Sequence, residues 1–150
     1  MRLIIQRVQS AQVVVDNKVV GKIGKGLLVL LGIAADDTED DVDWLVHKLL
    51  HLRIFDDEGG VMNYSVQDVQ GDLLIISQFT LLAATKKGHR PSYIRAAKHE
   101  TAIPLYEIFL AKAETLLGQT VQRGVFGAHM EVSLVNDGPV TLHIDSRARE

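Results

Sequence analysis

MRLIIQRVQSAQVVVDNKVVGKIGKGLLVLLGI, residues 1 to 33, carries three strand signals in succession. Leu3 and Ile5, and then Val13 and Val15, occupy alternating positions between Arg2 and Val15, the period of a half-buried strand. Asp16-Asn17-Lys18 is a turn signal, and Val19 to Ile23 follows as a second strand. Gly24-Lys25-Gly26 is another turn. Leu27 to Ile33 is then an unbroken apolar run, short enough for a strand buried on both faces. These three pieces predict an antiparallel meander.

Further along, Thr38 to about Leu52 predicts a helix. Thr38 can cap it, with Asp41 three residues on as a weak capping box. Glu39, Asp40 and Asp41 lie where the helix dipole favours negative charge. Val42, Leu45, Val46, Leu49 and Leu52 form one apolar stripe at helical spacing. Asp56 to Gly60 reads as a turn, Asp72 to Thr80 as a second buried strand, and Lys86 to Ser92 as a basic loop. A second helix is predicted from about Thr101 to Leu117. Its buried stripe is Leu105, Phe109, Ala113 and Leu116, Pro104 is tolerable in its first turn, and Gly118 suits its C-terminal cap. Val121 to Phe126, Met130 to Val135 and Val140 to Ile144 are the last strands. The order βββ-α-β-α-βββ predicts a single mixed α/β domain over residues 1–150, a largely antiparallel sheet or barrel covered by two helices. Residues from about 147 to 150 read as a loose tail.

Composition narrows the function. The chain has 150 residues, 47% of them hydrophobic and 23% charged, which suits one soluble globular domain. A chain of this length buries roughly 68–70% of its unfolded surface, enough for an independent core. No run approaches 18 apolar residues, so no membrane partner is expected. The first ten residues alternate and do not form an apolar run, so a signal peptide is not expected. There is no cysteine, which excludes disulfides, a cysteine nucleophile and thiolate metal sites and fits a reducing cytoplasm. A net charge of −3 and a pI near 6.0 argue against broad, charge-driven nucleic-acid binding, DNA included.

Two short strings stand out, SQFTL at Ser77 to Leu81 and NDGPVT at Asn136 to Thr141. Alone, NDGPVT reads as a hairpin turn between two strands, because Asn, Asp, Gly and Pro all punctuate turns. Alone, SQFTL reads as a strand end with Phe79 and Leu81 buried. Together, and with MRLIIQRV, LRIFDDEGGVMN, KKGHRPSY, PLYEIF and FGAHMEVSLVNDGPVTLHID around them, they make the chain resemble the D-aminoacyl-tRNA deacylases along nearly its whole length. Those enzymes hydrolyse D-amino acids from tRNA.

The resemblance implies a homodimer of small barrel-like α/β domains whose partner is the aminoacylated 3′ end of tRNA. It implies a cis Gly138–Pro139 bond at a tip that enters the partner subunit's active site, where the tip's carbonyls hold the substrate amino group and leave no room for an L side chain. Rejecting L by about 10⁴ requires roughly 5.5 kcal/mol. Glycine has no side chain to reject, so glycyl-tRNA is expected to be hydrolysed too. By direct match, Gln78, Phe79 and Thr80 are the catalytic candidates and Ser77, Gly138, Pro139, Arg7, Ala102 and Phe126 bind substrate. Arg7 is the residue expected to hold the tip, although by itself it reads as a surface charge. Lys86, Lys87 and Arg90 are the candidates for tRNA phosphates, which would let an acidic protein hold RNA.

A threonine nucleophile needs an adjacent base, and none lies within or just beyond SQFTL, so Thr80 is expected to position substrate and not to attack it. An ester mainly needs a polarised carbonyl and a placed water, which backbone N–H groups near Phe79 and Thr80 could supply. The resemblance adds help from the terminal ribose 2′-hydroxyl. No metal or organic cofactor is expected. His47 and His51 lie four apart on a helix, but Lys48 stands where a zincin needs glutamate, so they read as surface or interface residues. Gly21, Gly24 and Gly26 lead into a strand and not a helix, and no G-K-[ST] follows, so no phosphate loop is expected. A dimeric RNA- or ligand-binding module without hydrolysis and a serine hydrolase of small esters remain as alternatives.

Overall fold

The computed structural model describes residues 1–149. Eight strands and two helices follow the order β1 (Arg2–Val15), β2 (Lys18–Ile23), β3 (Gly26–Gly32), α1 (Glu39–His51), β4 (Phe55–Asp56), β5 (Met62–Tyr64), β6 (Asp72–Ser77), α2 (His99–Leu117), β7 (Gln122–Arg123) and β8 (Glu131–Asp145). A 3-10 turn, Phe79–Leu82, follows β6. No helix among the described residues is long and apolar enough to cross a membrane.

The first three strands are not a meander. β2 and β3 never pair with each other. β8 runs antiparallel along one edge of β1 from Arg2 to Val14. β2 and β3 therefore share the other edge, β2 against Ala11 to Val15 and β3 against Arg2 to Val8. β1 is long enough to serve both, and Asp16 and Asn17 close its hairpin with β2 at φ 49° and 62°, the conformation of a two-residue type I′ turn. β3 then pairs with β6, and β6 with β7, both parallel.

Two hydrophobic cores explain the apolar runs. Leu27, Val29 and Leu31 of β3 join one core with α1 and α2, while Leu28 faces a second one inside the sheet. β6 divides in the same way, Leu73 and Ile75 against Leu74 and Ile76. Both strands are buried on both faces, so neither alternates. Along β1 the register shifts between Val8 and Ser10. Leu3 and Ile5 thus face the helices while Ala11 and Val13 face the inner core. The sheet curls until its ends meet: a Cβ on Gly21 of β2 would lie 2.8 Å from the Arg123 carbonyl of β7. The result is a nearly closed, barrel-like sheet with two helices on one side.

α1 forms as its sequence predicts. The Thr38 N–H donates to Asp41 Oδ2 at 2.9 Å, and Val42, Leu45, Val46 and Leu49 are buried. His47 and His51 are exposed, with rings stacked at 4.2 Å. α2 starts two residues earlier than predicted, at His99. Pro104 therefore lies in the second turn and deprives the Glu100 carbonyl of an N–H donor. Leu116 is half-exposed, and the buried face of α2 is Ala102, Leu105, Tyr106, Phe109, Leu110 and Ala113. Gly118 ends the helix at φ 77°.

Three other expectations differ from the structure. β6 ends at Ser77, and Phe79 onward turns away as the 3-10 segment. The two C-terminal strands are one, β8, and NDGPVT lies inside it. The C-terminal residues are docked as far as Arg149: Arg147 pairs with Asp36, and the Arg149 guanidinium lies 4.3 Å from the Trp44 ring centroid. Arginine stacking on tryptophan and a carboxylate within reach give this segment partners that no local pattern announces.

Candidate active site

NDGPVT is a bulge opposite Arg7. Thr141 pairs with Gln6 and Asn136 with Val8, so Asp137, Gly138, Pro139 and Val140 all stand against one residue of β1. The Asn136 side chain closes the base of the bulge. Its Nδ2 donates to Thr141 Oγ1 at 2.9 Å and its Oδ1 accepts from Val140 N at 3.2 Å. Val140 is buried in the main core, and Gly138 and Pro139 project as the exposed tip. The Gly138–Pro139 peptide is cis.

Arg7 is buried, only 6% exposed, against the surface reading of its sequence context. Its Nη1 donates to the Ile54 carbonyl at 2.7 Å and lies 3.3 Å from Asp56 Oδ1. Its Nε donates to the Asp137 carbonyl at 3.3 Å. The guanidinium thus ties the bulge to the segment after α1. A planar fork can reach both carbonyls at once, which a single ammonium cannot.

SQFTL sits at a different place. Ser77 pairs with Leu31, four residues along β3 from Leu27, the partner of Arg7. At about 3.3 Å per residue this is about 13 Å along the strand. Here a cavity of about 810 Å³ opens between the end of β6, the start of α2 and the segment from Phe126 to Met130. Its walls include Ser77, Gln78, Phe79, Ala102 and Phe126, all singled out from the sequence. Thr80, Arg7, Gly138 and Pro139 are not among them.

The turn after β6 sets the local chemistry. Arg2 holds it, with Nη1 donating to the Leu81 carbonyl at 2.8 Å and Nε to Asp145 Oδ2 at 2.8 Å. Leu81 N donates to the Gln78 carbonyl at 3.3 Å. The Phe79 and Thr80 N–H groups come earlier in that turn, where a helix has no carbonyl of its own to satisfy them. Gln78 Nε2 donates to Thr80 Oγ1. Phe79 is 57% exposed, contrary to the buried position its strand pattern suggested, because the chain leaves the sheet one residue before it.

Phe126 packs between His99 and Tyr106, with ring centroids 5.6 Å from each. Tyr106 is buried and its hydroxyl donates to the Ile75 carbonyl at 3.0 Å. Burial pushes that phenol up to about 12. The cavity also gathers Tyr93, Lys98, His99, Glu100 and His129, which the sequence did not connect with SQFTL. They lie 12 to 48 residues beyond Leu81, the end of that string, and no motif ties them to it. Lys86, Lys87 and Arg90 are exposed on the loop that the Ala84–Ser92 bridge closes.

Comparison with known proteins agrees with the sequence resemblance. The family model described as D-Tyr-tRNA(Tyr) deacylase matches residues 4–145. A D-aminoacyl-tRNA deacylase of Flavobacterium psychrophilum is 56% identical over 150 residues, covering both chains fully. Another, from Opitutus terrae, is 59% identical over the same length, again with full coverage of both. A solved structure titled c-Myc DNA Unwinding Element Binding Protein superposes with a TM-score of 0.92 at 39% identity, over 97% of this chain and 98% of its own. A probable eukaryotic D-amino acid tRNA deacylase shares the fold, with a TM-score of 0.83 at 20% identity over 95% of this chain and 97% of its own.

Proposed function

Because the chain belongs to the D-Tyr-tRNA(Tyr) deacylase family and is an enzyme of the D-aminoacyl-tRNA deacylase kind, we propose that it hydrolyses its ester in the cavity beside Ser77–Thr80, and that the Gly138–Pro139 tip of a second copy completes that cavity and rejects L substrates. One observation carries this reading. Within one chain the tip is pinned away from the cavity, with Arg7 and Ser77 about 13 Å apart in strand register. A tip that screens substrate must then come from a neighbour. The outer edge of β8 has no strand partner among the described residues, and a bare edge of fifteen residues favours pairing with another chain.

The reaction follows from the groups present. Water adds to the ester carbonyl carbon, the bond to the terminal ribose oxygen breaks, and a proton passes to that oxygen. The Phe79 and Thr80 N–H groups stabilise the oxyanion as charge develops, the usual main contribution to acyl-transfer catalysis. Thr80 positions substrate: its hydroxyl is engaged by the Gln78 amide, which cannot accept a proton as a base would. The neighbouring ribose 2′-hydroxyl takes part in place of a protein base. Ser77, Ala102 and Phe126 wall the cavity around the amino acid and the terminal adenosine. Carbonyls of the incoming tip hold the α-amino group, so a D side chain points to open space and an L side chain meets backbone. Glycyl-tRNA passes the same sieve. Lys86, Lys87 and Arg90 hold acceptor-end phosphates, and the enzyme works in the cytoplasm, where charged tRNA resides.

Subunit complementation tests the central point. Gly138→Val damages the tip and Ala102→Trp fills the cavity. Each variant alone is expected to lose D-tyrosyl-tRNA hydrolysis while keeping its circular-dichroism spectrum and solution mass. Mixing them after mild dissociation restores activity, because a mixed dimer has one intact tip facing one intact cavity. No recovery, or full activity in a monomeric wild-type protein, overturns the shared site.

A further inference from the structure

The charges of this chain are segregated. From Leu73 to His99 there is no Asp or Glu, while Lys86, Lys87, Arg90, Arg95 and Lys98 fall in that stretch. All five are exposed, and none forms an ion pair among the described residues. In a protein of net charge −3 this is a local surplus of cations beside the cavity. Phe79 and Tyr93 lie in the same stretch, on the cavity wall. Their rings meet edge to face, with centroids 5.0 Å apart at 74°. Both are open to solvent, Phe79 57% and Tyr93 38% exposed, and the adjoining Ile94 is 87% exposed. Exposed aromatic rings among unpaired cations suit single-stranded nucleic acid, whose bases stack on rings while its phosphates need positive charge.

We propose that Tyr93, braced by Phe79, is a stacking platform for an unpaired base of the tRNA acceptor strand just upstream of the terminal adenosine, with Lys86, Lys87, Arg90 and Arg95 around the adjoining phosphates. This rests on the reading of the cavity as the seat of the aminoacylated terminal adenosine. The nucleotides before that adenosine are single-stranded and leave the cavity across its rim. A ring on the rim gives affinity for any base, since every base has a π face. It lets an acidic protein hold RNA with few phosphate contacts.

The test compares two substrates. D-tyrosyl-tRNA carries the upstream nucleotides and D-tyrosyl-adenosine does not. In Tyr93→Ala, the loss of kcat/KM on the tRNA is expected to exceed the loss on D-tyrosyl-adenosine by about tenfold, the effect of one stacked base at 1.4 kcal/mol per factor of ten. The excess is expected in KM. Tyr93→Phe and Tyr93→Trp restore it, because the ring and not the hydroxyl stacks. Binding of uncharged tRNA, followed by fluorescence anisotropy, decides the matter even if the wild-type protein hydrolyses neither substrate: Kd rises about tenfold in Tyr93→Ala. Equal losses on both substrates, or an unchanged Kd for tRNA, overturn the proposal. So does a smaller solution mass for Tyr93→Ala, which assigns the rim to a contact between subunits.

Discussion

Arg7 Nε donates to the Asp137 carbonyl oxygen at 3.3 Å, joining residues 130 positions apart. Its other arm reaches the Ile54 carbonyl at 2.7 Å. One buried cation therefore fixes the angle at which the Gly138–Pro139 tip leaves β8.

Replacing Arg7 should loosen the tip and destabilise the fold. Arg7→Ala leaves the Ile54 and Asp137 carbonyls without this donor, and each lost hydrogen bond to a charged group costs about 1.5–3 kcal/mol. The total expected is about 3 kcal/mol, or a Tm lower by roughly 10 °C in a chain of this size. Activity on D-aminoacyl-tRNA should fall about 100-fold, and Arg7→Lys should not recover it, since one ammonium cannot span both carbonyls. Calorimetry and steady-state kinetics check this. Wild-type D-over-L selectivity in Arg7→Ala would exclude the pinning role.

Gly138 tolerates no side chain. Its φ is 126°, and an added Cβ would lie 2.8 Å from Val140 Cγ2 and 3.2 Å from Arg7 Nη2. Backbone strain of this kind costs about 1–3 kcal/mol. Gly138→Ala should lower the denaturation midpoint accordingly and raise hydrolysis of L-aminoacyl-tRNA relative to D. A variant as selective and as stable as wild type would count against the tip as sieve.

Thr80→Ala should stay within about tenfold of wild-type kcat, because it removes one neutral hydrogen bond worth about 1 kcal/mol and leaves the backbone donors in place. Intact-mass measurement during turnover should find no acyl adduct. Trapping an ester on Thr80 would reverse the assignment.

Glycyl-tRNA should be a substrate of the wild-type enzyme, because a steric sieve for L side chains has nothing to reject. A side-by-side assay with D-alanyl- and L-alanyl-tRNA decides it. Cleavage of the D-alanyl ester with glycyl-tRNA untouched would rule out a purely steric account.

Stability should fall at both ends of the pH range. Burial alone would push the Asp145 carboxyl up, but the Arg147 N–H and the Arg2 guanidinium outweigh it and hold it below the usual range. Burial likewise opposes the Ser146 and Thr38 bonds that lower Asp41. These carboxylates stabilise the fold above the ordinary value near 4, and the contribution is lost as pH falls below it. Tyr106 works in the opposite sense. Its phenol is raised to about 12 by burial, so its contribution is complete below about pH 10 and disappears between about 10 and 12. Tyr106→Phe should flatten the alkaline limb of the Tm profile, and Asp145→Asn the acid limb.

Periodicity and turn chemistry located β1, β2, β3 and α1 because those signals are local: side chains alternate along a strand, and Thr38 and Asp41 cap a helix within one turn. The same reasoning misjudged the strand arrangement. Two segments joined by Gly24-Lys25 usually fold back on each other, whereas here both lie along β1, an outcome set by the length of β1 and by β8 on its far edge. Local pattern also made NDGPVT a hairpin, since its residue types are those of a turn. Only pairing with β1 reveals four residues set against Arg7 in an unbroken strand.

The sequence by itself determined the two motifs, their residue types and the family to which they belong, since identity and spacing along a chain need no coordinates. Tertiary structure alone decided that Arg7 is buried, that Ser77 to Phe79 share a cavity with Tyr93, His99, Ala102 and Phe126, and that the tip stands apart from that cavity. Those facts depend on which distant segments pack together. Packing is settled by burial and hydrogen bonding summed over the whole chain, which no stretch of neighbouring residues can express.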